Sequence, residues 1–238
     1  MDLHYDKMVL IRKGSASMRL EEKRKELIFY GQKLVKDNLT KGTGGNLSVC
    51  DREQGIMAIT PSGIDYFEIK PEQIVLMEVE SGRIVEGDAI PSSESDMHRI
   101  LYKYREDLDA VIHTHTTYAT TLACLNIHLP AVHYLVALAG PDVRCADYAT
   151  YGTVELAKNA FEAMKDRKAC LLANHGLLAG GPDLATAFTI TEEIEFCCEL
   201  YYRAKSIGEP VILSESEMAM MMERFKNYGK RMEEHDEI

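Results

Sequence analysis

Apolar and polar positions alternate in blocks along this chain, and the period inside each block predicts its element. From Leu20 onward, Leu27, Ile28, Gly31, Leu34 and Val35 recur at helical spacing, which predicts an amphipathic helix ending near Asp37-Asn38. β-forming runs follow at Leu47-Ser48-Val49, at Met57 to Thr60, and at Ile74 to Met77 with Ile84-Val85, the last two joined as a hairpin through Ser81-Gly82. Met97, Ile100, Leu101 and Tyr104 then predict a helix, with Ser92 and Ser93 where N-caps sit and Glu94 in or beside the first turn. The apolar run Asp109 to Ile112 reads as a buried strand ending in His113-Thr114-His115, and Tyr118 to Leu125 reads as helical. Thr153 caps a helix carrying Val154, Leu156, Ala157, Ala160, Phe161 and Met164. Ala169 to Ala173 is another short buried strand, delivering Asn174-His175-Gly176. A long helix runs from Asp183 to about Ser206 and closes at Gly208. Ser214 and Glu217 form a capping-box pattern before a last helix whose Met218, Met221, Met222 and Phe225 face the core.

Composition narrows the class. At 238 residues, 46% hydrophobic and 27% charged, the chain has the balance of an ordinary globular domain. Residues 1–17 lack a clear period and read as a loose arm or an added extension, leaving residues 18–238 as one domain. The formal charge of −11 excludes nonspecific binding to nucleic acid or to an anionic membrane, both of which need clustered Lys and Arg. No run approaches the roughly 18 apolar residues of a membrane span. The first residues lack the basic-then-apolar pattern of a secretory leader, so a cytoplasmic protein is expected. Six cysteines without Cys-x-x-Cys spacing argue against disulfides and against a thiolate metal site.

The candidate chemistry lies in the polar ends of these elements. On a strand His113 and His115 share a face with their Cα atoms roughly 7 Å apart, so two imidazoles can converge on one ion. A catalytic metal centre takes about three protein ligands and leaves one position open. The pair alone is equally compatible with a structural role; His175, at the end of another buried strand, is the candidate third ligand. Gly42-Thr43-Gly44-Gly45-Asn46 joins helix to strand and lets backbone N–H groups turn toward an anion, though such a turn is commonly structural. Pro61-Ser62-Gly63 adds a hydroxyl and an N–H, and the serines of Pro91-Ser92-Ser93-Glu94 stand where a helix N-terminus can hold a phosphate. His4, His98, His128 and His235 read as surface or core histidines.

The glycine loop with Asn46, Thr60-Pro61-Ser62-Gly63, Pro91-Ser92-Ser93-Glu94, His113-Thr114-His115, His133-Tyr134, Asn174-His175-Gly176 and Tyr228-Gly229 occur in an order that resembles the class II aldolases acting on deoxy-ketose phosphates, most of all the branch acting on L-fuculose 1-phosphate. The likeness runs from about residue 20 to the end of the chain. It implies a three-layer α/β/α domain with a mixed, largely antiparallel central sheet, assembled as a homotetramer with sites between subunits. It implies that His113, His115 and His175 bind Zn²⁺, with Glu94 as fourth ligand at rest and as general base once substrate displaces it. Thr43, Asn46, Ser62, Gly63, Ser92 and Ser93 would hold the phosphate. Tyr134, reaching in from a neighbouring subunit, and Tyr228 would serve the aldehyde end. The donor set would also accept Co²⁺ or Mn²⁺.

The reaction implied is cleavage of the C3–C4 bond of a ketose 1-phosphate to dihydroxyacetone phosphate and L-lactaldehyde. No lysine stands in these motifs to form a Schiff base, so a metal ion is the natural electron sink. Three other readings stay open. L-Ribulose-5-phosphate 4-epimerases of the same family make and rejoin the same kind of bond, but tend to carry Ser-Ser-Asp where this chain has Ser92-Ser93-Glu94, and an added aspartate where it has Val136-Ala137-Leu138-Ala139. A methylthioribulose-phosphate dehydratase is the second. The third is a non-catalytic interaction module like the adducin head, which would be expected to lose metal ligands that are all present here.

Overall fold

A computed structural model describes residues 18–227. The arm 1–17, Tyr228-Gly229 and the charged tail lie outside the described residues, as do His4 and His235. The elements run α1 (Glu21–Lys36), β1 (Asn46–Asp51), β2 (Ile56–Ile59), β3 (Val75–Glu78), β4 (Ile84–Glu86), α2 (Ser95–Tyr104), β5 (Ala110–Thr114), α3 (Thr117–Cys124), β6 (Cys145–Ala146), α4 (Val154–Ala163), β7 (Ala169–Leu172), β8 (Gly176–Gly181), α5 (Leu184–Ile207) and α6 (Glu215–Asn227). Short 3₁₀ turns occupy Pro71–Gln73 and Tyr134–Leu138.

The strands form one eight-stranded sheet in the order β4-β3-β2-β1-β5-β8-β7-β6. Every pairing is antiparallel except β6 with β7, so the sheet is mixed and largely antiparallel. Alternation along the strands sorts side chains onto two faces. Met57, Ile59, Val111 and Leu178 point to one face, under Met97 and Leu101 of α2 and Leu156 and Ala160 of α4. Leu47, Val49 and Ile112 point to the other, against Leu27 and Leu34 of α1 and Phe188 of α5. Leu171, Leu177 and Ala179 continue that second face toward Ala119 and Leu122 of α3, Ile190 and Ile194 of α5, and Met218 of α6. Helices therefore cover both sides, giving the three layers expected. Each fully buried Leu or Ile contributes about 1.5–3 kcal/mol relative to its exposed state.

The ends of the elements follow local chemistry. Thr153 Oγ1 accepts from Leu156 N at 3.2 Å, Asp183 Oδ1 from Thr186 N at 2.7 Å, and Ser214 Oγ from Glu217 N at 3.2 Å, so three expected caps form. Met221, Met222 and Phe225 pack beside the buried Met218, as expected of a core-facing helix. The cap of α2 is Glu94 rather than a serine, and Glu94 makes no side-chain cap bond. Ser92 Oγ instead accepts from Glu94 N at 3.3 Å. β6 and β8 carry no periodic signal that a sequence reading would take as strand: one has two residues, and the other is glycine-rich.

Candidate active site

The central strands bring the distant motifs together. In the β1–β5 ladder Asn46 lies opposite His113, and in the β5–β8 ladder His113 lies opposite Leu178. His115 falls just past the end of β5, in the link to α3. Glu195 of α5 ties that link down by accepting from Tyr118 N and Ala119 N, each at 2.8 Å. His175 stands in the turn between β7 and β8, after Asn174 at φ 53°, a left-handed conformation that asparagine tolerates better than most residues. Two glycines let these segments meet. A Cβ at Gly45 would stand 2.5 Å from the His113 carbonyl oxygen, and one at Gly176 would stand 2.3 Å from that of Thr114.

The ligand nitrogens of His113, His115 and His175 all lie within 4.8 Å of one another. His113 Nε2 is 3.1 Å from His115 Nε2. Glu94 straddles the group, with Oε2 3.3 Å from His113 Nε2 and Oε1 3.3 Å from His175 Nε2. Donor atoms about 2.0–2.1 Å from a tetrahedral ion stand about 3.3–3.4 Å from each other, so these separations fit one ion. The protonation pattern fits as well. His113 Nδ1–H donates to the Leu177 carbonyl at 2.9 Å, which leaves the Nε2 lone pair facing the cluster. Burial first, and then the neighbouring imidazoles, hold His113 well below the ordinary histidine pKa and lower that of His115. The Nε2 lone pairs of His113 and His115 and the oxygens of Glu94 therefore face each other, an arrangement that a cation reconciles. Glu94 is 7% exposed, and its Oε1 has no hydrogen-bond partner among the described residues.

A cleft of about 350 Å³ opens beside this cluster. Thr43, Asn46, Ser62, Gly63, Ser92 and Ser93, the residues singled out for an anion, all line it, together with Glu94, His115 and His175. His113 lies behind them, fully buried. Two loops are stitched together to form the wall: Ser62 N donates to Ile90 O at 2.9 Å, and Ser92 N donates to Thr60 O at 3.2 Å. Among the described residues, no lysine or arginine lines it. Asn46 is more committed than its sequence context suggests, since Nδ2 donates to Glu94 Oε2 at 2.9 Å while Oδ1 contacts His98 Nε2 at 2.5 Å.

Tyr134 is not part of this chain's cleft. It is 46% exposed, and its ring stacks on Phe225 with centroids 6.2 Å apart. Tyr228 lies outside the described residues. Tyr148, Ala149 and Tyr151 line the cleft and were not anticipated. They belong to an irregular loop without periodicity, and the one hint available was a pair of tyrosines three positions apart in a polar segment.

A three-layer fold with imidazoles converging on a carboxylate, beside a cleft of hydroxyls and turn amides, has the donor set that a metal-dependent enzyme requires. Residues 25–202 match the family described as Class II Aldolase and Adducin N-terminal domain, and the chain belongs to this family as a class II aldolase, a metal-dependent lyase. A 5-deoxy-D-ribulose 1-phosphate aldolase of Bacillus thuringiensis serovar kurstaki is 54% identical over 214 residues, spanning 90% of this chain and all of that protein. A 5-methylthioribulose-1-phosphate/5-deoxyribulose-1-phosphate aldolase of Rhodospirillum rubrum is 44% identical over 207 residues, spanning 87% of this chain and 92% of that one. Among solved structures, an L-fuculose 1-phosphate aldolase superposes with a TM-score of 0.86 at 60% identity, covering 90% of this chain and 100% of that chain. Among the described residues no helix is long and apolar enough to cross a membrane.

Proposed function

We propose that this chain reversibly cleaves a deoxy-ketose 1-phosphate, with L-fuculose 1-phosphate as the leading substrate, to dihydroxyacetone phosphate and a small aldehyde. The observation that carries the proposal is the junction of two unlike surfaces in one cleft. Three imidazoles and the Glu94 carboxylate stand at one end, and the hydroxyls and turn amides of Thr43, Ser62, Gly63, Ser92 and Ser93 at the other.

His113, His115 and His175 hold the metal, taken as one Zn²⁺ per chain, with Glu94 completing the set at rest. When bound, the ion supplies an electron sink for the enediolate that forms as the C3–C4 bond breaks. The phosphate is held by neutral hydroxyls and backbone N–H groups, which suits an acidic chain in which no lysine or arginine lines the cleft among the described residues. Asn46 has one Nδ2 hydrogen committed to Glu94 and one left for a phosphate oxygen. In the cleavage direction Glu94 in its acid form delivers a proton to C3, and in the condensation direction the carboxylate removes it. Tyr134 and Tyr228 act at the aldehyde end, where the C4 hydroxyl gives up its proton. Tyr134 does so in a neighbouring subunit of a homotetramer, a placement supported by its exposure away from its own chain's cleft.

A second substrate, 5-deoxy-D-ribulose 1-phosphate, is favoured by the relative at 54% identity. The two sugars share the dihydroxyacetone phosphate half and differ in the aldehyde, lactaldehyde in one case and acetaldehyde in the other. A panel of ketose 1- and 5-phosphates, scored for release of dihydroxyacetone phosphate and for the aldehyde formed, tests the proposal. Highest kcat/KM on L-fuculose 1-phosphate supports the leading reading, and highest kcat/KM on 5-deoxy-D-ribulose 1-phosphate moves the assignment there. Isomer exchange of L-ribulose 5-phosphate without release of dihydroxyacetone phosphate refutes both in favour of an epimerase.

A further inference from the structure

Behind Glu94 a line of buried polar groups runs away from the cleft into the protein. Asn46, Ser48, His98 and Tyr102 are all 4% exposed or less, in a layer otherwise packed with aliphatic side chains. Two periods lay the line down. Glu94, His98 and Tyr102 are spaced four residues apart at the start of and along α2, so they share one helix face, while Asn46 and Ser48 are spaced two apart on β1 and share one strand face. The faces meet through Asn46 Nδ2 to Glu94 Oε2 at 2.9 Å, His98 Nε2 to Asn46 Oδ1 at 2.5 Å, Ser48 Oγ to His98 Nδ1 at 2.7 Å, and Ser48 Oγ to Tyr102 Oη at 2.6 Å.

The direction of every bond follows from the carboxylate end. An ionised carboxylate has no hydrogen to give, so the Asn46 atom facing it is the amide nitrogen and the atom facing His98 is the carbonyl oxygen. His98 Nε2 must then carry the hydrogen. The buried ring is neutral, so its Nδ1 accepts and Ser48 donates to it. The Ser48 oxygen in turn accepts from the Tyr102 hydroxyl. With the Asn46 amide turned over, two oxygens would face each other at the Glu94 end, whichever tautomer His98 adopted. One orientation alone satisfies every group.

We propose that His98 is a positioning residue which, by donating to Asn46 Oδ1, fixes the Asn46 amide so that it holds Glu94 Oε2 and leaves Oε1 as the oxygen that exchanges the proton with C3. The relay distinguishes two chemically equal oxygens. Oε2 is anchored to β1, whereas Oε1 is buried without a hydrogen-bond partner among the described residues. Without the His98 donor Asn46 Oδ1 is buried without that partner and the side chain is held at the Glu94 end alone, so the angle of the carboxylate toward the substrate is less firmly set.

The inference rests on Glu94 being the base, so its test keeps the two claims apart. The readout is the exchange of the C3 proton of dihydroxyacetone phosphate with solvent deuterium, followed by NMR at saturating ligand on the metal-loaded full chain, with metal content and thermal unfolding measured alongside. His98→Leu fills the space and removes the donor, and should slow exchange about 10–100-fold with metal content unchanged, the scale seen when a supporting partner of a metal site is lost. His98→Gln, whose amide can still donate to Asn46, should recover most of the rate. Ser48→Ala should give a smaller loss, because His98 keeps its place but not its hydrogen-bond partner. A parental rate in His98→Leu, alongside a dead Glu94→Gln, overturns the positioning role and leaves the base intact. Exchange that persists in Glu94→Gln removes the base itself. Equal slowing in His98→Leu and His98→Gln reduces His98 to packing and also overturns the role. If His98→Leu fails to fold, Ser48→Ala decides: slowed exchange supports the relay, and a parental rate refutes it.

Discussion

Replacing Glu94 by glutamine separates a helix-capping carboxylate from a catalytic one, because the structure makes the two costs very different. Glu94 occupies the N-cap of α2 without a side-chain cap bond, so its structural contribution reduces to charge near the helix N-terminus, about 0.3–1 kcal/mol. The bond from Asn46 survives, since a glutamine Oε1 accepts as Oε2 does. Its loss of charge assistance costs about 1 kcal/mol. Against these stands the relief of a carboxylate that is 7% exposed and faces the imidazoles of His113 and His175. The net change in metal-free stability should be within about 1 kcal/mol, readable by urea unfolding. If Glu94 moves the C3 proton, kcat should fall by about 10²–10⁴, equivalent to about 2.7–5.4 kcal/mol of barrier. Steady-state cleavage and deuterium exchange into dihydroxyacetone phosphate read the same loss. A folded, metal-loaded Glu94→Gln protein with parental exchange refutes the reasoning.

Other perturbations bear on separate parts of the site. His113→Ala or His175→Ala should abolish both activity and the expected single metal per chain, as measured by elemental analysis; undiminished metal in both variants refutes the triad. Ser92→Ala should raise KM for the phosphorylated substrate and change kcat little, because it contacts a part that does not react; an unchanged KM places the phosphate elsewhere. Gly176→Ala forces a Cβ 2.3 Å from the Thr114 carbonyl and within 3.2 Å of ring atoms of His113 and His115. It should cost about 1–3 kcal/mol and weaken metal retention, whereas full stability and full metal content would show the strands free to part. Burial, assisted by His113, pushes His98 down to about 3, against about 6.5 in the unfolded chain. Between those values the unfolded chain takes up a proton that the folded one refuses, so this residue's contribution to stability is complete above pH 6.5 and falls as the pH drops toward 3. From pH 7 to 5 the loss amounts to about 2 kcal/mol, which His98→Gln should remove from the metal-stripped protein; equal pH dependence in parent and variant refutes it.

What could be read from the sequence follows the range of the forces involved. α1, α2, α4 and α5 were legible because their apolar stripes, and in α4 and α5 their capping residues, lie within a few positions of one another. β5 was legible because a strand buried on both faces is continuously apolar. The histidine cluster was legible for a different reason: His113 and His115 stand two residues apart at the end of one apolar run, and His175 follows a second. β8 was not legible, because Gly176, Gly180 and Gly181 make room for β5 and α5, so its signal is an absence of side chains rather than a pattern. His98 was not legible either. Its partners lie about fifty residues away in sequence, and nothing local separates it from an ordinary core histidine. The rim tyrosines Tyr148 and Tyr151 escaped because irregular loops take their shape from what they pack against; here Gly152 passes 3.1 Å from the Ser93 carbonyl oxygen when given a Cβ.

The order of strands in the sheet also sets when the metal centre can come into being. β1 to β4 form a meander in which each strand pairs with its neighbour in sequence, so the segment can form on the fast timescale of local hairpins. β8 forms a tight hairpin with β7, but β5 reaches both of its partners, β1 and β8, across long intervals, and His113 finds its carbonyl partner Leu177 64 residues further on. No chelate exists until β8 has been synthesised and has closed against β5. Metal capture therefore comes after chain closure rather than guiding it, and an ion that binds only the closed sheet stabilises by mass action in proportion to its free concentration.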